Sequence, residues 1–187
     1  MRLSASCAAL VAACTLAASA AHAQRGASLP IELGIDGGVT FGLGDADYTR
    51  IALPGQRFRV GFFTSDAISI EPAIALNYVS TGDTHSTDFV GDVGVLFHTS
   101  PTAGGSRVYL RPFAGLETIS FSSDNPNVDD STTQFHLGAG VGIKVPLANR
   151  LRARFEANFL HGFDSSGAGD TSGNAIGLTA GLSFFTR

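Results

Sequence analysis

The sequence predicts an all-β protein, namely an eight-stranded, antiparallel, up-and-down transmembrane β-barrel. Three observations predict this fold. Segments of about ten residues, in which apolar and polar side chains alternate, recur along the chain, which is typical of tilted strands that cross a bilayer. Short turns and longer loops rich in Gly, Ser and Asp alternate between these segments. Glycine is abundant, at 23 residues in 187, and no window after position 24 shows sustained helical spacing of apolar residues.

Residues 1–23 are predicted to be a signal peptide, so the barrel domain is expected to span 24–187. Arg2 supplies the positive charge, an apolar run follows, and Ala21-His22-Ala23 has the small-x-small pattern of a cleavage site. Both cysteines lie in this segment, so the mature chain is expected to have no disulfide and no thiolate metal site. An alternative is a lipidated N-terminus at Cys14.

The mature chain contains no candidate spanning helix. No segment reaches the roughly 20 consecutive apolar residues that a transmembrane helix needs. A membrane location therefore requires a closed barrel, in which every backbone group is paired. The formal net charge of -4 argues against nucleic acid as a partner.

The first four predicted strands place an apolar side chain at every second position. In the first, Ile31, Leu33 and Ile35 alternate with Glu32 and Asp36. The second and fourth alternate Phe and Val with Arg or Asp, and the third alternates Ile and Leu with Ser, Glu and Asn. These strands are Ile31–Phe41, Gln56–Phe63, Ile68–Tyr78 and Thr87–Phe97.

The last four predicted strands repeat the pattern. The fifth and seventh alternate apolar residues with Arg and Glu, whereas the sixth and eighth alternate them mainly with Gly. These strands are Val108–Thr118, Gln134–Val145, Arg150–Phe159 and Ala175–Phe185. Short turns are predicted at Thr64–Ala67, Pro146–Asn149 and Ser100–Arg107, and longer loops at Gly42–Gly55, Val79–Ser86, Ser120–Thr133 and Gly162–Asn174. This alternation favours periplasmic turns at one end of a barrel and external loops at the other.

The polar faces are predicted to fill the barrel interior and the apolar faces to contact lipid. An eight-stranded barrel is just wide enough inside to be filled by side chains. Buried charges are tolerated there only when they are paired, and both signs are present. The candidates for lumen ion pairs are Arg59, Glu71, Arg111, Glu117, Arg152, Arg154 and Glu156. The alternative is a soluble or lipid-anchored, lipocalin-like binding barrel with its charges on a solvated outer face.

The sequence resembles the small outer-membrane β-barrel proteins of the OmpA transmembrane-domain and opacity-protein type. The resemblance covers nearly the whole mature chain and rests on the signal peptide, the eight segments and the strands Val108–Gly115, Leu137–Gly142 and Gly181–Phe185. It implies contact with outer-membrane lipid and recognition of the C-terminal strand by the outer-membrane assembly machinery. Family members usually end on an aromatic residue, whereas this chain adds Thr186-Arg187.

A catalytic site is an alternative with weak support. His161, Asp164, Ser165 and Ser166 lie close together in the sequence, but a nucleophilic serine needs an oriented base, and a Ser-rich loop supplies such residues by chance. The lipid A deacylase pattern, a His two residues before the Ser, is absent. His136 is expected to pack in the lumen. We therefore predict no catalytic, cofactor or metal site.

The long loops are acidic, with almost no basic residue opposing their charge. These aspartates are Asp45, Asp47, Asp83, Asp124, Asp129, Asp130, Asp164 and Asp170. A solvated surface is the favoured interpretation, and the sharper one is weak divalent-cation binding that bridges to outer-leaflet phosphates. The composition also fits adhesive loops with an unidentified surface partner. The sequence thus predicts a non-enzymatic outer-membrane protein with a structural, envelope-integrity or adhesive role. The alternatives are a narrow porin-like channel, the soluble binding barrel and an outer-membrane lipid-modifying enzyme.

Overall fold

The computed structural model describes residues 29–43, 49–81, 84–101, 103, 105–123, 130–163 and 173–186. Eight antiparallel strands close into a barrel in sequence order, which confirms the predicted fold class. The strands are β1 (Ile31–Leu43), β2 (Thr49–Phe63), β3 (Ile68–Thr81), β4 (Thr84–His98), β5 (Arg107–Ser123), β6 (Asp130–Ala148), β7 (Leu151–Gly162) and β8 (Gly173–Phe185). The predicted signal peptide and Cys14 lie outside the described residues. Within the described part of the chain, no helix has the length and apolar character needed to cross a membrane.

The barrel closes where β1 meets β8. Twelve consecutive residue pairs join these strands, from Glu32 opposite Phe185 to Leu43 opposite Asn174. Beyond Phe185, the N–H of Thr186 donates to the carbonyl of Ile31, whose own N–H donates to the Thr186 hydroxyl at 3.1 Å. Each strand therefore has two neighbours, as a chain must if its backbone is to lie in hydrocarbon.

Several strands extend further toward the external end than their alternation predicts. β3 and β4 continue to the pair Thr81–Thr84, so the predicted loop Val79–Ser86 is largely a hairpin. β5 and β6 likewise continue through Ser120 opposite Ser131, whose hydroxyls lie 3.2 Å apart. The positions of these extensions that continue the outward phase, such as Ser80, Ser120 and Ser131, are polar, so the apolar alternation that marks a strand stops before the strand does.

A bulge explains why β2 begins earlier than predicted. Arg57 pairs with Asp36 of β1, but two residues further along β1 the partner of Gly38 is Ala52. Between these two pairs, four residues of β2 (53–56) lie opposite the single residue Gly37 of β1, so β2 has three extra residues. The extra residues exchange the inward-facing and outward-facing positions of β2. The first part of this strand therefore does not follow the alternation of its second part, and the sequence pattern does not predict it.

The two ends of the barrel differ. The turn 64–67, the connection 99–106 and the tight turn Asn149–Arg150 lie at the end where the described chain enters β1 and leaves β8. This arrangement assigns that end to the periplasm and assigns the opposite end of the strands, at which β1 and β2, β3 and β4, β5 and β6, and β7 and β8 are connected, to the exterior. Arg150 has a φ of 66°, which is uncommon for a residue other than glycine.

The burial pattern is the inverse of that of a soluble protein. Outward-facing apolar side chains such as Phe58, Ile74 and Leu178 are about half exposed, whereas the most deeply buried side chains include Glu32 and Glu71. The lipocalin-like alternative requires an apolar interior and a charged exterior, and the observed arrangement is the opposite. The apolar belt is suited to contact with lipid.

Candidate functional site: the charged lumen

The lumen holds a network of ten charged side chains, here called the lumen network. All ten occupy inward-facing positions, because side chains along a strand alternate between its two faces and one face of every strand lines the barrel interior. Its acidic members are Glu32, Asp36, Glu71, Asp92 and Glu156, and its basic members are Arg57, Arg59, Arg111, Lys144 and Arg154. The five negative and five positive formal charges balance.

Glu71 lies at the centre of the network and is fully buried. Nη1 of Arg154 is 2.8 and 2.7 Å from its two carboxylate oxygens. Nη1 of Arg59 lies 3.3 Å from one of these oxygens, and Nε of Arg111 lies 3.5 Å from the other. One carboxylate on β3 therefore joins cations from β2, β5 and β7 across the barrel axis.

Arg59 connects the centre to β1 and β8. Its Nε donates to Asp36 at 2.8 Å, and its Nη1 donates to Glu32 at 2.5 Å. Its Nη2 donates to the Ser183 hydroxyl at 2.6 Å. Lys144 of β6 donates to the second oxygen of Glu32. The strands that close the barrel are thus also joined through its interior.

Tyr109 and Glu156 connect Arg154 to the outer half of the lumen. The Tyr109 hydroxyl accepts a hydrogen bond from Nε of Arg154 at 2.6 Å and donates one to Glu156 at 2.8 Å. Nη1 of Arg111 lies 3.2 Å from Glu156. Arg111 also pairs with Asp92, whose other oxygen is 2.6 Å from Nη2 of Arg57. Charge-assisted hydrogen bonds therefore run through the network without a break.

Glycines on the same inward faces make room for these large side chains. Gly34 lies opposite Arg59 in the β1–β2 ladder, and a Cβ at Gly34 would fall 2.3 Å from Cζ of Arg59. Gly142 lies opposite Tyr109, and a Cβ there would fall 2.2 Å from the Tyr109 hydroxyl oxygen. The glycine-rich character of the inward faces is thus a packing requirement.

Five of the seven sequence candidates lie in the network: Arg59, Glu71, Arg111, Arg154 and Glu156. Arg152 does not. It lies at the periplasmic mouth, where Nη1 donates to the Gly105 carbonyl at 3.0 Å and the guanidinium lies 5.3 Å from the Phe185 ring centroid. Glu117 lines a cavity in the outer half of the lumen.

Sequence reasoning omitted five charged members and Tyr109 from the candidate set. The five charged members occupy the polar positions of the alternation, so listing every charged residue at those positions identifies them. They are Glu32, Asp36, Arg57, Asp92 and Lys144. Tyr109 lies on the same phase but was not assigned a polar role, since aromatic residues are usually counted as apolar. A buried tyrosine hydroxyl needs a hydrogen-bond partner, so a tyrosine at an inward position of a strand indicates a polar contact in the lumen.

The network separates two cavities. A cavity of about 120 Å³ lies on the external side and is lined by Asp36, Asn77 and Glu117 among others. A second cavity, of about 310 Å³, opens at the periplasmic end beside Phe63, His98 and Lys144. The densest ion pairing lies between them, at the level of Glu71.

The residues considered for catalysis do not form a described site. His161 lies in the last part of β7, one residue before its end at Gly162; its Nδ1 lies 2.9 Å from the Asn174 side-chain oxygen, and Phe163 packs edge-on with ring centroids 4.7 Å apart. Asp164, Ser165 and Ser166 lie outside the described residues. His136 is buried and faces the edge of Phe113. Among the described residues, no group of three His, Cys, Asp or Glu is placed to hold a metal ion.

The fold and the lumen define a small transmembrane β-barrel with a charged, filled interior. The chain belongs to the outer membrane protein beta-barrel domain family, whose model matches residues 6–184. It is thus a transmembrane barrel of the outer membrane. No curated protein sequence matches it.

Solved structures share the fold at low identity. Neisserial surface protein A is 14% identical, with a TM-score of 0.61 over 82% of this chain and 96% of that chain. Ail, the attachment invasion locus protein of Yersinia pestis, is 12% identical, with a TM-score of 0.53 over 83% of this chain and 97% of that chain. At these identities the likeness concerns architecture alone.

Proposed function

We propose that the chain is a non-enzymatic, structural outer-membrane protein that supports envelope integrity and presents its external loops to a surface partner. The charge-balanced lumen network carries this proposal. Three of its cations, Arg59, Arg111 and Arg154, contact Glu71 from three different strands, and hydrogen bonds join neighbouring members. An ion crossing the barrel would have to displace these pairs and leave charges uncompensated in a site of low dielectric. A filled lumen suits a membrane-embedded scaffold better than a pore.

A narrow channel is the second candidate, since the network is flanked by a cavity on each side. Planar-bilayer recordings of the refolded full-length protein separate the two. We expect no large, stable openings at moderate voltage, because the paired side chains of Glu71 and Arg154 lie across the axis. Long-lived openings of uniform conductance from the unmutated protein would contradict the plugged scaffold and favour the channel.

The external connection between β5 and β6 is proposed to be dispensable for folding. Predicted as a loop over Ser120–Thr133, it is shorter in the structure, because β5 continues to Ser123 and β6 begins at Asp130. The backbone pairing of the barrel is complete without 124–129. We expect replacement of 124–129 by a short Gly/Ser turn to preserve membrane insertion and heat-modifiable gel mobility while altering any surface binding.

The matched control for this loop exchange is the same replacement made in the turn 64–67. That turn is held by N–H groups of Thr64 and Ser65 donating to the Ile68 carbonyl. It should therefore tolerate exchange less well. If the folded gel species is lost on exchange of 124–129, the loop is structural and the proposal that it carries the surface function fails.

Recognition by the assembly machinery is proposed to use β8. This strand ends at Phe185 and pairs with β1, so it completes the closed sheet. Thr186 continues the hydrogen bonding to Ile31 beyond the end of β8. This arrangement is compatible with an assembly signal in β8 that ends at the aromatic residue Phe185. Substitution of Phe185 by Ser should slow assembly in cells more than it lowers the stability of the protein refolded in detergent.

A further inference from the structure

The periplasmic mouth of the barrel carries cations that the lumen network does not use. Arg107 and Arg152 point inward by the phase of β5 and β7, and Arg150 lies in the adjoining turn. Nη2 of Arg107 donates to the Asp66 carbonyl at 2.8 Å, and its Nε donates to the Thr99 carbonyl at 3.2 Å. These bonds use backbone oxygens, and no described carboxylate forms an ion pair with any of the three arginines.

These arginines line the cavity of about 310 Å³. Lys144 lies at its inner wall, already paired with Glu32, and Asp66 is the one carboxylate among the described lining residues. Phe63 and Phe185 form an apolar wall, with ring centroids 6.1 Å apart. The cavity is therefore concave, cationic and partly apolar, and it opens to the periplasm.

A histidine with an unpartnered ring nitrogen lies beside the same cavity. His98 is 7% exposed and stacks on Phe63 with ring centroids 5.3 Å apart. Its Nε2 lies 3.0 Å from the Ser69 hydroxyl, but Nδ1 has no hydrogen-bond partner among the described residues. Buried polar atoms are normally satisfied, so this histidine beside the cavity is an exception.

Arg150 adds a conformational observation. With a φ of 66° it occupies the left-handed region, in which glycine or asparagine is less strained than arginine. A cation thus occupies a turn position where the backbone favours other residues.

From this geometry we infer that the periplasmic mouth is a binding site for an oxyanion, that is, a carboxylate or phosphate group. Guanidinium groups bind both groups through paired hydrogen bonds. Arg107 and Arg152 point toward the barrel axis and not toward the bilayer, so the ligand is a solute that enters from the periplasm and not a headgroup of the surrounding leaflet. This inference goes beyond the proposed scaffold function and does not depend on it.

The test uses the full-length protein folded in a nonionic maltoside micelle. Inorganic phosphate and citrate are titrated separately at constant ionic strength and followed by calorimetry. We expect one saturable site for at least one of them. Arg107→Gln and Arg152→Gln should each weaken binding about tenfold or more, since each removes a charge-assisted hydrogen bond. Arg150→Asn, which suits the left-handed backbone, should weaken it without affecting folding.

The matched control is Arg50→Gln, which removes a charge near the external end of β2, where Arg50 pairs with Thr40. It should leave binding unchanged. Binding of phosphate alone, citrate alone or both supports the site and defines its preference. No saturable binding, or equal loss in Arg50→Gln, overturns it. The proposal is also overturned if binding occurs only when the micelles contain phosphatidylglycerol, because the ligand would then be the membrane surface.

A second readout needs no variant. In histidine-labelled protein, phosphate or citrate should shift the ring signals of His98 at the periplasmic mouth and leave those of His161 at the external end unchanged. Equal shifts of both, or of neither, would overturn the site even if the arginine variants fail to fold.

Discussion

Glu71→Ala is expected to lower the free energy of unfolding by about 3–5 kcal/mol, because it leaves three buried guanidinium groups without their shared carboxylate. Arg154→Ala should have a similar effect, since it removes the closest partner of Glu71. Urea titration of the protein refolded in lipid vesicles, followed by heat-modifiable gel mobility, measures both. The double variant should lose much less than the combined loss of the two single variants, because it removes charges of both signs.

Asp66→Asn provides the control for this cycle. Asp66 lies in the exposed turn between β2 and β3 and forms no ion pair with a described residue. Its substitution should change the free energy of unfolding by less than about 1 kcal/mol. Additive single effects, each as small as that of Asp66→Asn, would show that Glu71 is not the centre of a coupled network.

Ile74→Arg is expected to lower the free energy of unfolding by about 2–4 kcal/mol, because it places a charge on the lipid-facing surface near mid-bilayer. Ile74 is 47% exposed and lies midway along β3, between Phe58 of β2 and Gly91 of β4. The same vesicle titration measures the loss. Detergent-solubilised protein should be less affected than protein in a bilayer, since a micelle adapts its thickness.

Ile31→Arg is the depth control for Ile74→Arg. Ile31 also faces outward, but it begins β1 at the periplasmic rim, where an arginine should lower stability by only about 0–1 kcal/mol. Equal losses at the two depths would contradict the placement of the bilayer around the barrel. Recovery of a folded, detergent-free protein from the periplasm would contradict the membrane location itself.

The fold could be predicted from sequence because side chains alternate between the two faces of a strand. The alternation of apolar and polar residues therefore shows which residues face the lipid and which face the lumen. The eight strands and their closure follow from that pattern and the spacing of turns. Several strand boundaries were missed for physical reasons. The bulge between Asp36 and Gly38 shifts the phase of β2, and the outward positions of the hairpin extensions around Thr81 and Ser120 are polar.

The site could be predicted only as a set of inward residues. Alternation gives the face of a side chain but not its height along the barrel axis, so Arg152 and Arg154 were treated alike. The structure puts Arg152 at the periplasmic mouth and Arg154 on Glu71, a contact 83 residues apart in sequence. Such cross-lumen contacts depend on the stagger of the strands, which no single segment of sequence specifies.

The inward charges also act before the barrel exists. β1 cannot meet β8 until nearly the whole chain has been exported, since Ile31 and Thr186 are 155 residues apart. Closure over such a distance is slow, and apolar strands that wait in water tend to associate with one another. Every strand from β1 to β7 carries at least one member of the lumen network, and an isolated charge within an apolar segment discourages such association. By this argument, the residues that hold the closed barrel together are also expected to limit association of the unfolded chain until its last strand arrives.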